Sequence, residues 1–299
     1  MWMLLVLVYG LLKGTREIVK KKSLERSSVM EVLFFYTLFA FLFVCPDMKN
    51  AMGMKPSWYF FVALKSFVIF LAWMCSFKAI KKMPLSVYGI LDLSRVLFAT
   101  LLGTVVLREK MSTQQIIGLI LVASGLLLLK MRIRTGKNVG EREETERTKR
   151  ADAKELSENI PPLMLLFALA SCLLNALSGL MDKLLMKDLN SSQLQFWYML
   201  FLVSFYLIYI LVTKEKIDLK KSLKNYWIWI LAFLFVIADR ALFVANGMAD
   251  SRVTVMTLIK QSGCIVTILG GRFIYKEKNI GFKLFCAGVI ITGIVVAVL

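Results

Sequence analysis

The sequence predicts an all-α integral membrane protein of ten transmembrane helices, arranged as two inverted five-helix repeats. Three observations lead there. The chain is 58% hydrophobic, with a mean hydropathy of +0.69 and no histidine. A soluble domain of 299 residues must still cover itself with polar groups and has no room to bury that much apolar surface. Apolar stretches of the roughly 20 residues that a spanning helix needs recur along the chain, five on each side of one charged break. Finally, a pattern in the fourth stretch returns in the ninth.

That pattern runs from Leu91 to Lys110 and recurs, 168 residues on, from Ile259 to Lys278. Ser94, Leu101, Gly103, Glu109 and Lys110 meet Ser262, Leu269, Gly271, Glu277 and Lys278 without a gap. In the same register Ile69, Val87 and Gly125 meet Ile237, Val255 and Gly293, so that Trp58–Leu128 repeats at Tyr226–Val296. An odd number of spans per copy turns the second copy over in the bilayer. The predicted division is a first repeat at 1–132, a charged linker at 133–160 and a second repeat at 161–299.

The first span, Met1–Val19, has neither a basic start nor a small-residue cleavage site, so it reads as a retained helix rather than a signal peptide. Lys13, Arg16, Glu17 and Lys20 share one face at its end. They read first as a helix end snorkelling into headgroups, and alternatively as a charged rim at the mouth of a cavity. The second span, Ser28–Cys45, is aromatic and aliphatic; the third, Ser57–Ile80, holds Lys65. The fourth, Pro84–Leu107, starts on a proline, whose missing N–H is harmless there. It lines up Gly89, Asp92, Ala99 and Gly103, small residues that let helices approach closely. The fifth, Ser112–Met131, and the tenth, Asn279–Leu299, are glycine-spaced and apolar, suited to packing between halves.

The linker carries seven basic and seven acidic residues between Arg134 and Asn159 and reads as a solvated tether. Beyond it, the sixth span, Pro161–Met186, sets Ser171, Asn175, Ser178 and Asp182 in a polar stripe. The seventh is Ser191–Thr213. The eighth, Tyr226–Met248, carries Asp239 and Arg240 in mid-span, then Asn246. The ninth, Ser251–Tyr275, aligns Thr257, Lys260, Cys264, Thr267 and Gly271, with Gln261 beside them.

The net charge of +18 does not point to nucleic acid. Lys and Arg concentrate in the loops after odd-numbered spans, which marks a cytoplasmic face, places both termini outside and favours anionic lipid headgroups. The expected partners are the bilayer and a small-molecule substrate. The five cysteines sit singly on different apolar stretches and read as small core residues. With no histidine and no thiol cluster, neither a metal site nor a cofactor is expected.

Asp92, Arg95, Asp239, Arg240 and Lys260 lie well inside their spans. Each would cost about 2.5–3.5 kcal/mol facing lipid near the helix centre, so they are assigned to an interior, as structural ion pairs or as the lining of a wet path. The repeat sets Asp92 opposite Lys260 in the two copies, at similar depth near the pseudo-two-fold axis, where inverted repeats bind their ligands. Asp92 and Arg95, three apart, are placed to pair; Asp239 and Arg240, adjacent, point about 100° apart. Counting Lys65, bases outnumber acids, and the cavity leans positive. The candidate substrate-binding set is Lys260, Gln261, Arg95, Asp92, Asp239, Arg240, Asn246, Thr257 and Asn175, with Asp92 and Asp239 as candidates for ion coupling.

Five plus five helices, with the fourth of each half running into an acidic–basic turn, here LREKMSTQQIIGLILVASG and YKEKNIGFKLFCAGVIITG, resemble the EamA family of the drug/metabolite transporter superfamily. The resemblance covers the chain except its linker. It implies alternating-access transport of a small metabolite such as an amino acid, a sugar or a sugar phosphate, commonly coupled to an ion gradient, and a multi-pass location in a prokaryotic cell membrane. The Glu109–Lys110 and Glu277–Lys278 turns mark the family without naming a substrate. The family is described with both termini cytoplasmic, against the charge distribution here. The expectation is a secondary transporter for an anionic or zwitterionic metabolite. A flippase for a lipid-linked phosphate is the alternative. An intramembrane enzyme built on Asp92 and Asp239 is more distant, without histidine, metal-ligand cluster or Gly-rich nucleotide loop.

Overall fold

A computed structural model describes residues 2–106, 113–138, 160–186, 188–246, 248, 259–277 and 279–298. Among them every regular element is helical. The helices are α1 (Trp2–Arg26), α2 (Val29–Val44), α3 (Met48–Ala51), α4 (Pro56–Lys82), α5 (Leu85–Asp92), α6 (Ser94–Val106), α7 (Thr113–Asn138), α8 (Pro162–Leu185), α9 (Ser191–Thr213), α10 (Leu219–Lys224), α11 (Tyr226–Asn246), α12 (Ser262–Tyr275) and α13 (Ile280–Val298), with a 3-10 turn at Cys45–Asp47. Among the described residues four stretches are long and apolar enough to cross a membrane: Val29–Ala51, Pro56–Lys82, Pro162–Asp182 and Ser191–Thr213. Shorter apolar helices cover Ile116–Leu129, Ser262–Tyr275 and Ile280–Val296. Glu109, Lys110, Lys278 and most of the linker lie outside the described residues.

Local chemistry sets the ends of these helices. Ser28 opens α2 through a capping box: its hydroxyl accepts from Glu31 N–H at 3.2 Å while the Glu31 carboxylate accepts from Ser28 N–H at 2.7 Å. Asn190 and Gln193 do the same for α9. Proline stands at the first turn of α4 and of α8.

Three expectations about helix limits need correction. The first helix does not end at Val19 but continues to Arg26, so its charged face lies inside the helix. The fourth span is not continuous: it breaks at Leu93, between α5 and α6. The ninth breaks at Gln261, between the helical residues Ile259–Lys260 and α12. The two breaks share one local geometry. Val96 N–H reaches back to the Leu93 carbonyl at 3.2 Å, and Cys264 N–H reaches back to that of Gln261 at 2.9 Å. Leu93 and Gln261, like Val96 and Cys264, are related by the 168-residue shift of the sequence repeat.

Packing follows the same relation. Pair α8 with α1, α9 with α2, α11 with α4, α12 with α5–α6, and α13 with α7. Then α1 against α11 and α12 answers α8 against α4 and α6, α2 against α11 answers α9 against α4, and α2–α9, α5–α12 and α7–α13 answer themselves. The first helix of each half therefore lies on the other half. Glycine makes the α1–α12 crossing possible. Gly10 and Gly14 stand four apart on α1, and a Cβ on Gly263 would lie 2.6 Å from the Gly10 carbonyl oxygen, too close for any real side chain. The α7–α13 contact is as tight, with a Cβ on Gly293 only 2.8 Å from the Gly118 oxygen.

Candidate functional site

Where α1 crosses the two broken helices, a narrow cleft is lined by Lys13, Glu17, Gly89, Asp92, Gln261 and Thr267, among others. Gly89 has no side chain to hold Thr267 away, which closes the α5–α12 wall. The charges at and beside the cleft fall into three clusters. Asp92, at the end of α5, receives Lys13 from α1 at 2.7 Å and Arg95 from α6 at 2.7 Å. Glu17 holds Lys20 at 2.7 Å, and that ammonium lies 3.5 Å from Ser76 Oγ, which itself bonds Tyr88 at 2.6 Å. Asp239 on α11 faces Arg16 at 3.5 Å and accepts from the Tyr198 hydroxyl at 3.3 Å. Lys65 on α4 meets Asp182 on α8 at 2.6 Å, with its ammonium over the Tyr198 ring. Tyr198 thus touches two ion pairs, its hydroxyl on one and its ring face on the other.

Lys260 stands apart. It is half-buried, 5.9 Å from the Tyr9 ring centre, and has no ion pair among the described residues. Gln261 beside it is 8% exposed, and its buried Oε1 has no hydrogen-bond partner among the described residues.

Of the residues singled out in the sequence, Asp92 and Gln261 line the cleft, Arg95 is held to it through Asp92, and Lys260 directly precedes Gln261. Asp239 belongs to the neighbouring Arg16–Tyr198 cluster. Arg240 turns away to Asp47 at 2.6 Å, where Ser192 also donates at 2.6 Å, and its side chain is 42% exposed. Asn175 donates to the Ser171 carbonyl of its own helix at 2.7 Å. Thr257 and the side chain of Asn246 lie outside the described residues.

The reading of the Lys13–Lys20 face as a helix end in the headgroups is overturned. Glu17 and Lys20 are each 8% exposed, and Lys13 and Arg16 supply the counter-charges of both candidate coupling aspartates. The signal was present: four charges at helical spacing, overlapping Gly10 and Gly14, which mark a face pressed against another helix. The Glu277 turn also has a definite role. Its carboxylate accepts from the backbone N–H of Leu85 at 2.6 Å and of Ser86 at 3.1 Å, takes the Ser86 hydroxyl, and has Lys283 at 3.5 Å and Lys21 at 3.9 Å. It caps the N-terminus of α5 from the far end of α12, a residue of one half closing a helix of the other.

The family model described as the EamA-like transporter family matches residues 1–131 and 162–299. A solved structure, titled only as a crystal structure of protein, superposes with a TM-score of 0.61 over 97% of this chain and 98% of its own, at 14% identity, a likeness of fold alone. No curated protein sequence matches the chain significantly.

Proposed function

This chain belongs to the EamA-like transporter family, within the drug/metabolite transporter superfamily, and from that premise we propose that it is a secondary active transporter. Members of the family are transporters, and the chain is a multi-pass protein embedded in the membrane. Its cargo in this reading is a small polar metabolite, anionic or zwitterionic. It moves by alternating access as the two inverted five-helix repeats, 1–132 and 161–299, rock against each other in a prokaryotic cell membrane.

One observation carries the reading. Both repeats interrupt a helix at the same register position, Leu93 and Gln261, and each interruption directly follows a charged residue, Asp92 in one half and Lys260 in the other. A broken helix costs backbone hydrogen bonds, which is tolerated at membrane depth only where the freed groups are buried in protein or line a cavity. Paired breaks at a repeat interface are the setting in which inverted-repeat carriers bind cargo. The breaks abut the cleft, and Lys260 at the second of them has no ion pair among the described residues. Asp92 and Asp239, each already beside a cation, are assigned to coupling.

The test is solute uptake in proteoliposomes. Lys260→Ala is expected to abolish transport while leaving the melting temperature close to that of the parent, because no ion pair among the described residues is lost with it. Undiminished uptake in that variant removes Lys260 from the site.

A further inference from the structure

The short helix α10 presents three faces, and the fold uses one of them. At about 100° per residue, Leu219 and Leu223 fall within about 40° of each other, Lys220, Lys224 and Lys221 fill the arc beside them, and Ser222 closes the circle. Ser222 is buried, and the first half of the chain grips both ends of the helix. Asp218 N–H donates to the Glu31 carboxylate at 3.0 Å, and the buried Asn225 amide donates to the Ser23 carbonyl and to the Ser27 hydroxyl, each at 3.0 Å. So anchored, α10 cannot roll. Its two remaining faces point away from the protein: Leu219 is 60% and Leu223 49% exposed, and all three lysines are exposed without an ion pair among the described residues.

Its place along the chain fixes what those faces meet. α10 follows the apolar stretch Ser191–Thr213, and the exposed rings of Tyr226 and Trp229 come directly after it. The Trp229 indole N–H donates to the Leu223 carbonyl at 3.2 Å. Rings with one apolar and one polar end stand at the headgroup level of a bilayer, so the leucines reach the acyl boundary and the lysines the headgroups. A soluble anion meets the lysines and leaves the leucines in water. A zwitterionic lipid covers the leucines and brings the lysines no net charge. A lipid with a negative headgroup does both. We propose that α10 is a docking surface for anionic phospholipid, and that lipid seated there steadies the junction that α10 makes between the two halves.

The surface is confined to one leaflet. α9, 23 residues long, begins against α3, where Ser192 donates to Asp47 and Trp197 to the Ala51 carbonyl, and it ends just before α10. α3 and α10 therefore lie at opposite ends of a span. α3 exposes Met48 but carries a single lysine, Lys49, and Asp47 beside it is taken by Arg240.

The test follows the melting temperature of the full-length protein in neutral detergent while dioleoylphosphatidylglycerol, dioleoylphosphatidylcholine or inorganic phosphate is added. Phosphatidylglycerol is expected to raise it at concentrations where the other two do not, and high salt should shrink the rise. In a Lys220→Gln, Lys221→Gln, Lys224→Gln protein the phosphatidylglycerol concentration giving half the rise should grow at least about tenfold, since each lysine near an anionic surface contributes roughly a factor of five. Leu219→Ser with Leu223→Ser keeps the charge and should raise that concentration too. Lys49→Gln with Lys55→Gln, on the opposite face, should leave it unchanged.

No rise with phosphatidylglycerol, an equal rise with phosphatidylcholine, a rise reproduced by inorganic phosphate, or a triple-lysine variant that titrates like the parent overturns the inference. A Lys49, Lys55 variant as impaired as the α10 variant overturns the confinement to one leaflet. Should the triple variant not fold, the leucine pair decides, and its titrating like the parent discards the surface. None of these outcomes depends on which solute the chain carries.

Discussion

Replacing Glu277 with alanine removes more from this fold than its place in a turn suggests. The carboxylate is 8% exposed at the side chain, and it accepts three hydrogen bonds at the start of α5 while sitting beside Lys283 and Lys21. A hydrogen bond to a charged group contributes about 1.5–3 kcal/mol, a helix cap about 0.5–2, and breaking a buried ion pair by removing one partner costs about 3–5. These overlap rather than add, so Glu277→Ala should destabilise by about 3–5 kcal/mol. On the usual scaling for chains of this size, that is a fall of on the order of 10 °C in melting temperature.

Tryptophan fluorescence of the detergent-solubilised protein, followed through a thermal ramp, reads this directly. Glu277→Gln keeps an acceptor and should lose only about 1–2 kcal/mol. Ser86→Ala alone should cost about 1 kcal/mol, yet add nothing to Glu277→Ala, because the hydroxyl has by then already lost its partner. A Glu277→Ala protein melting within 2 °C of the parent (on the order of 1 kcal/mol or less), or costs for the two changes that simply sum, would refute the capping argument.

Other outcomes follow from the same geometry. Asp92→Asn leaves Lys13 and Arg95 without a carboxylate between them and is expected to abolish the pH dependence of transport; uptake that still follows pH normally moves the coupling role to another group. Gly263→Ala should destabilise by about 1–3 kcal/mol, since its Cβ meets the α1 backbone, whereas Gly179→Ala, with nothing within 4 Å, should stabilise by about 0.5–1 kcal/mol. The two thermal ramps should therefore move in opposite directions. Arg240→Ala removes an ion pair whose arginine is 42% exposed, so the loss should stay below about 1 kcal/mol and diminish further in high salt.

Much of this arrangement was written in the chain where periodicity or repetition could express it. The 168-residue register of Ser94 with Ser262 is kept by the helix breaks one residue before each. The spacing of Asp92 and Arg95 foretold their bond, and the glycine-spaced fifth and tenth spans do pack together as α7 and α13. The breaks themselves were invisible, because Leu93 and Gln261 are not helix breakers by propensity. Partner choice was equally hidden. Lys13 reaches Asp92 and Lys65 reaches Asp182 across separations that no local pattern encodes. Hydropathy misread the end of α1 because a window average sees four charges as exit from the bilayer, whereas their counter-charges arrive from helices far along the chain.

The exchange of first helices also fixes an order of events during synthesis. Arg16 leaves the ribosome long before Asp239, the carboxylate it faces, and Lys13 likewise precedes Asp92. At about 5–20 residues per second, the guanidinium of Arg16 waits roughly 10–45 s for its counter-charge. Throughout that interval α1 is a weakly apolar segment carrying unmatched charge, and it has no glycine-lined surface to rest against until α12 emerges. The nascent first half is therefore an unfinished object, whose α1 finds its packing surface only in the closing third of the chain.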